Sequence, residues 1–295
     1  MLGAVRHQSE GESLEAFRAF ACDLAPRDLQ DLMSYPFFSL TKTRRIRPIE
    51  YHAGDIAIRV EGSAEHGIAT IWDADVLIWV TSQLIEARDA GIPTSRRVVA
   101  TPYEILSFIG RGTSGRDYRR LKAAFDRLQS TTVATSIRQP SSRRLHRFSW
   151  INEWKERSTG EGRPLGLEVV VPDWFYATVL DSTLVLTIDR AYFRLPGGIE
   201  RWLYRLARKH AGKQPDGWRF ALRHLHARSG SLARYSDFAI DLRRIVRTGS
   251  LPGYRMVIER SRRGAEVLHV WAAPAQRIEQ TVAQLAARFR AGGKL

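Results

Sequence analysis

Three groups of residues in this chain have types and spacings that chemistry could use. The first is GRGTSG, Gly110 to Gly115, which matches G-x-G-x-x-G, the glycine turn that holds a pyrophosphate between a strand and a helix. Its surroundings oppose that use: it follows the helical segment PYEILSFI, no acidic residue stands about 20 positions on, and Arg116 and Asp117 occupy the places where a P-loop needs Lys and Ser or Thr. The glycines are better read as a tight turn between two helices, with backbone N–H groups free to approach a phosphate. The second group is His224-Leu225-His226 with Tyr235 nine residues on, the set a DNA-nicking enzyme uses when the histidines sit on a strand and share a divalent metal. Leu222 and Leu225 are spaced for a helix, where residues two apart point about 200° from each other and cannot share a metal. No His-x-x-Arg precedes the tyrosine, and no carboxylate cluster suggests a two-metal nuclease. No catalytic residue, cofactor or metal site is therefore expected.

The third group is arginine, arranged on helices. In SGRDYRRLKAAFDRLQS, Ser114 to Ser130, 100° per residue places Tyr118, Leu121, Phe125 and Leu128 on one face and Arg116, Arg119, Arg120 and Arg127 opposite. Ser114 with Asp117 is a capping-box start. The pattern recurs in RYSDFAIDLRRIVRTG, where Tyr235, Phe238, Leu242 and Ile245 form the buried stripe and Ser236, Arg243, Arg244 and Arg247 the other side. One face suits a core and the other suits phosphates and base edges.

The elements that must position these helices can be read around them. Trp72 to Ala90 carries Leu77, Val80, Leu84 and Ile85 at helical spacing and stops at Gly91 and Pro93; Val98 and Val99 form a short strand; Thr101, Pro102 and Glu104 open a second, short helix. After the arginine helix, TTVATSIR is strand-like, SSRR turns it, and Phe148, Trp150 and Trp154 alternate down the return strand, placing Arg143 and Arg144 at a basic hairpin tip. The loop ERSTGEGRP leads to a further strand through Leu165, Leu167, Val169 and Val171, and Pro172 to Leu180 is a short helix. The order then repeats: Ile199, Trp202, Leu203, Leu206 and His210 mark an amphipathic helix, ALRHLHARSG a second, Arg234 to Thr248 a third, and Tyr254 to Glu259 with Glu266 to Trp271 a hairpin closed by SRRG, with Arg262 and Arg263 at its tip. Helix, tight turn, basic helix and basic hairpin predict an α+β fold of two tandem winged helix-turn-helix domains behind an N-terminal arm. The expected divisions are an arm over 1–34, a first domain over 35–185 and a second over 186–295. The arm carries short helices at Ser13 to Cys22 and Pro26 to Met33, and Pro274 to Arg290 a terminal helix that is a candidate interface. YPFFSLTKTRRIRPIEY, Tyr35 to Tyr51, precedes a strand at Ile56 to Val60 and reads either as an edge strand with solvated arginines or as a phosphate contact through Lys42, Arg44, Arg45 and Arg47. Aromatic residues near the hairpins read as core or as platforms for unpaired bases.

Composition agrees. The chain has 295 residues, 44% of them hydrophobic, and a net charge of +15. Arg111 to Arg157 holds 12 Lys and Arg against 4 Asp and Glu, and Arg201 to Arg263 holds 16 against 4; those windows carry +8 and +12, so the rest of the chain sums to −5. A polyanionic partner is expected, met by two patches. Cys22 is the only cysteine, which excludes an intrachain disulfide, and the longest apolar run is the five residues Val76 to Val80, so a membrane span is not expected and the protein is expected to be cytoplasmic.

YPFFSLTKTRRIRPIEY, WDADVLIWV, TPYEILSFIGR with GRDYRRLKAAFDRL, and LPGGIERWLYRLARKHAG through YSDFAIDLRRIV together resemble the replication initiator protein A family of bacterial plasmids, from about Leu32 to Trp271. The resemblance implies a protein that binds repeated or inverted double-stranded DNA at a plasmid origin, opens an adjacent AT-rich segment, engages the host initiator and replicative helicase, exists as monomer or homodimer, and represses its own gene as a dimer. Two rivals remain at this point, a winged-helix transcriptional regulator and a metal-dependent rolling-circle nickase.

Overall fold

The computed structural model describes residues 16–20, 23–139, 144–262 and 264–274. In chain order the elements are β1 (Phe17–Arg18), β2 (Arg27–Leu29), α1 (Gln30–Ser34), β3 (Ile49–Ala53), β4 (Ile56–Glu61), α2 (Ala74–Asp89), β5 (Arg97–Ala100), α3 (Pro102–Phe108), α4 (Gly115–Ser130), β6 (Thr132–Thr135), β7 (His146–Ser149), β8 (Glu153–Ser158), β9 (Pro164–Val170), α5 (Asp173–Leu180), β10 (Val185–Thr187), α6 (Gly198–His210), β11 (Trp218–Ala221), α7 (Leu222–Ser229), α8 (Tyr235–Thr248), β12 (Tyr254–Arg260) and β13 (Glu266–Ala272). The fold is mixed α+β, and one order of elements occurs twice. In the first half α2, β5, α3, α4, β8 and β9 follow one another with only β6 and β7 inserted, and the strands pair in the order β5, β9, β8. In the second half α6, β11, α7, α8, β12 and β13 give the order β11, β13, β12.

Local chemistry fixes the helix starts. Thr101 Oγ1 accepts from the Glu104 N–H while the Glu104 carboxylate accepts from the Thr101 N–H at 2.6 Å, and Pro102 occupies the first helical position of α3. Ser114 and Asp117 make the same reciprocal pair at the start of α4. α7 ends on Gly230 at φ +63, where a Cβ would stand 2.9 Å from Pro36 Cβ, so the turn into α8 needs glycine for backbone and for space.

Three sequence expectations are corrected. Phe148, Trp150 and Trp154 do not share a return strand: the chain leaves β7 at Ser149, and β6 and β7 join β3 and β4 in a separate four-stranded sheet, while Trp154 lies on β8. At the break Trp150 is fully buried, stacked on Phe38 and edge-on to Phe37. The hairpin that repeats the second half's topology is therefore β8–β9, not the turn bearing Arg144. The helix expected at Ser13 to Cys22 gives way at its described residues to β1, which runs parallel to β5, and the one expected from Pro26 begins as β2, which pairs with β10. The expected helix from Pro274 to Arg290 lies, after its first residue, outside the described residues.

The third correction concerns α6, which has the expected amphipathic pattern but does not leave its polar face to solvent. It is buried nearly all round, its arginines included: Arg201, Arg205 and Arg208 are each under 10% exposed. Arg205 makes paired bonds to Asp28 at 2.7 and 3.1 Å, and Arg201 donates to Asp75 of α2 at 2.8 Å and to the Phe193 and Leu195 carbonyls. Desolvation raises the Asp28 and Asp75 carboxyls above the ordinary range against the pull of these arginines. α1 packs on α6, Gly198 meets the Leu40 backbone so closely that a Cβ would collide, and one continuous apolar core runs from Phe17 to Ala272.

Two outcomes follow. Arg205→Met leaves a buried carboxylate unpaired and should lower unfolding stability by about 3–5 kcal/mol in urea titration, with much of that recovered when Asp28 is also replaced by Asn; a loss below about 1 kcal/mol would contradict the pairing. At the end of α6, His210 lies against the rings of Trp218 and Phe220; burial first, then Arg228 and Lys209, brings its pKa down from 6.5 to about 4. The folded state thus prefers the neutral ring, and its contribution is complete above about pH 6.5 and declines as pH falls toward 4. With allowance for partial exposure of the ring this is about 1–2 kcal/mol, read as the difference between wild-type and His210→Phe acid unfolding curves.

Candidate nucleic-acid interface

The glycine turn Gly110–Gly115 connects α3 to α4, with Gly110 at φ +66, and Arg111 within it donates to the Trp72 carbonyl at 2.7 Å and to Asp75 at 2.9 Å. Asp75 thus holds both the turn before α4 and, through Arg201, the first helix of the second half. α4 buries Leu121, Ala124, Phe125 and Leu128 and leaves Arg116, Arg119 and Arg120 exposed. The Asp117 carboxyl, held below its usual range chiefly by the Ser114 hydroxyl, lies 3.6 Å from Arg120. Lys42 stands over the Trp72 ring at 5.1 Å, and Arg44 donates to the Glu65 carbonyl at 3.0 Å. These side chains, with Arg111 and Arg120, line a groove of about 750 Å³ at the start of α4. Lys42 and Arg44 are exposed there, on the same side as Arg120.

Two residues expected to touch DNA have other work. Arg127 is half-buried and grips Asp73 with two bonds of 2.7 and 2.8 Å, so it braces α4 against the start of α2. Arg45 is 7% exposed and donates to the carbonyls of Arg47, Pro48 and Gly230. Burial brings its pKa down to about 10, still protonated at neutral pH, and its 2.6 Å bond to Gly230 braces the α7–α8 turn of the second half.

On α8, Ser236, Arg244 and Arg247 are exposed, and Arg244 is held by Asp241 at 2.8 Å. Arg243 is paired with Glu266 of β13, which ties the helix to its own hairpin. Arg262 is exposed at the β12–β13 tip; Arg263 and Arg143 lie outside the described residues. Arg144 is exposed in the β6–β7 connection, whose Arg138 pairs with Asp31 of α1. At the β8–β9 hairpin, the topological partner of β12–β13, the exposed cations are Lys155 and Arg157, both within reach of Glu168 of β9, and Arg163. Sequence reading missed them although the loop ERSTGEGRP was recognised, because only strand order separates the two hairpins.

The histidine pair is helical. His224 and His226 lie on α7, and His226 Nε2 is 2.9 Å from the Ala233 carbonyl with its ring against Tyr235 and Phe238. Among the described residues no three His, Cys, Asp or Glu side chains gather as a metal site.

The family model described as replication initiator protein A matches residues 27–256. The chain belongs to this replication initiator family. A protein of Wigglesworthia glossinidia brevipalpis named "Putative replication protein" is 32% identical over 229 residues, which cover 76% of this chain and 82% of that one. Two solved structures of domains 2 and 3 of RctB superpose with TM-scores of 0.59 and 0.54, at 15% and 14% identity, over 82% of this chain and 97% and 96% of theirs; at that identity the likeness is one of fold. Among the described residues no helix of the chain is long and apolar enough to cross a membrane.

Arg127→Ala and Arg119→Ala separate brace from surface cation. The first should lower unfolding stability by about 3 kcal/mol or more, because Asp73 stays buried without its partner, and the second should leave it unchanged within about 0.5 kcal/mol, both read by thermal and urea unfolding.

Proposed function

We propose that each half is a winged helix-turn-helix unit, with α4 and α8 as recognition helices, and that the chain initiates plasmid replication by binding origin DNA sequence-specifically. The observation that carries this reading is repetition: two successions of helix, strand, helix, helix and hairpin, the first with β6 and β7 inserted and β1 added at its sheet edge, the three strands of each pairing in the order first, last, middle, and each third helix turning arginines outward. Membership of the replication initiator family supports the same conclusion from a separate direction. Arg119 and Arg120 in one unit and Arg244 and Arg247 in the other address base edges and backbone, since arginine can reach guanine O6 and N7 with two bonds. Arg157 and Arg262 at the hairpins, with Lys42 and Arg44 beside α4, hold phosphates. Opening of an AT-rich segment, engagement of the host initiator and replicative helicase, and repression of its own gene by a dimer complete the proposal. The chain acts in it as a binding protein in the cytoplasm, without metal or catalytic residue, and no observation favours the nickase over it.

A replicon carrying this gene and its flanking DNA, with no other origin, should be maintained by the wild type and lost with Arg120→Ala or Arg244→Ala. Binding to the same DNA should weaken by about 10³- to 10⁵-fold between 50 and 200 mM salt, as neutralising 6–10 phosphates requires. Arg120→Ala should cost sequence-specific binding about ten-fold or more beyond its effect on random DNA, whereas Arg262→Ala should lower both alike. Tight specific binding without maintenance would make the chain a repressor, and a shallow salt dependence would mean that the two units do not share one duplex.

A further inference from the structure

α8 carries an isoleucine where its core does not need one. Ile240 is 60% exposed, whereas Phe238, Ala239, Leu242 and Ile245 of the same helix are buried. At 100° per residue Ile240 points roughly opposite the mean direction of those four, and it shares an arc of about 60° with Ser236, Arg243 and Arg247. It stands in the second turn, the part of a recognition helix that meets base edges, with Ser236 one turn before it and Arg243 and Arg244 one turn after. A β-branched side chain there adds nothing to helix stability and, in water, leaves apolar surface exposed. The corresponding turn of α4 presents Arg119 and Arg120, so the two helices offer different chemistry at their reading ends.

In the major groove the apolar group among the base edges is the thymine 5-methyl. We infer that Ile240 is a specificity-determining residue that packs on a thymine methyl in the half of the site occupied by α8, with the exposed Arg244 and Arg247 bringing the backbone to either side. This rests on the DNA-binding reading above. It divides the labour of the chain: α4 selects hydrogen-bonding edges with guanidiniums alone, and α8 adds to its arginines the selection of a methyl group by exclusion of water.

The test uses the full chain and duplexes selected by it from a randomised pool, then resynthesised with deoxyuridine replacing thymidine one position at a time, which removes the methyl and nothing else. Wild type should bind about four-fold more weakly when one critical thymine loses its methyl, the loss of a single buried methyl contact. Ile240→Ala should bind the thymine and uracil duplexes alike, and Ile240→Val should keep part of the difference; because the side chain is exposed, all three proteins should melt at the same temperature. Insensitivity of the wild type at every thymine, or undiminished sensitivity in Ile240→Ala, would overturn the assignment while leaving DNA binding intact. A change of sedimentation in Ile240→Ala with unchanged DNA affinity would overturn it in favour of a protein contact. Failure to enrich any sequence from the pool would overturn the DNA-binding reading and this inference together.

Discussion

Removing a guanidinium from water is tolerated only where carboxylates or carbonyls replace the lost hydration, and of the three arginines that α6 brings into the interior two, Arg201 and Arg205, do so against carboxylates. Their carboxylates come from far away in the chain: Asp75 on α2 and Asp28 on β2. Neither half can shift against the other without separating charges in a poorly solvated place. Apolar packing alone would permit sliding of α6; paired, bidentate bonds do not.

That constraint bears on the two arginine helices. α2 and α6 are the first helices of the repeated succession, and Asp75 joins them while also holding Arg111 in the turn that begins α4. A second tie runs from Arg45 to the carbonyl of Gly230, at the turn that begins α8. Each arginine helix is thus anchored at its start to the other half of the molecule. The spacing of α4 and α8 is a property of the fold, and a rigid spacing suits a partner whose repeat is fixed, as duplex DNA's is.

The same pairing sorts the positive charge. The windows of +8 and +12 suggest two uniformly basic patches, but Arg201 and Arg205 are neutralised inside by acids from outside their window, Arg127 by Asp73, and Arg243 by Glu266 at the surface. Those that remain exposed include Arg116, Arg119, Arg120, Lys42 and Arg44 around α4, Arg244 and Arg247 on α8 with Arg234 just before it, and Arg157, Arg163 and Arg262 at the hairpins. Basic composition pointed to a polyanion; burial decides which cations are available to meet one.

The three helices of each half, the capping residues of α3 and α4, the buried stripes of α4 and α8 and the closing hairpin of the second half were legible in the sequence, because caps and 3.6-residue periodicity are local and act within a few positions. The placement of Arg116, Arg119, Arg120, Arg244 and Arg247 on outward faces followed from the same periodicity. The division of Phe148 to Trp154 between two sheets was not legible, since alternation is identical whichever partner strand receives it, and the break lies at Trp150, packed against Phe37 and Phe38. Nor were the tasks of Arg45, Arg127, Arg201 and Arg205, for an arginine destined for a buried carboxylate reads the same as one destined for solvent. By itself the sequence determined the secondary structure around its periodic, capped segments, the repeated order and the family. Tertiary structure alone decided which strands pair and which charges cancel, because both depend on partners distant in the chain whose proximity no local pattern encodes.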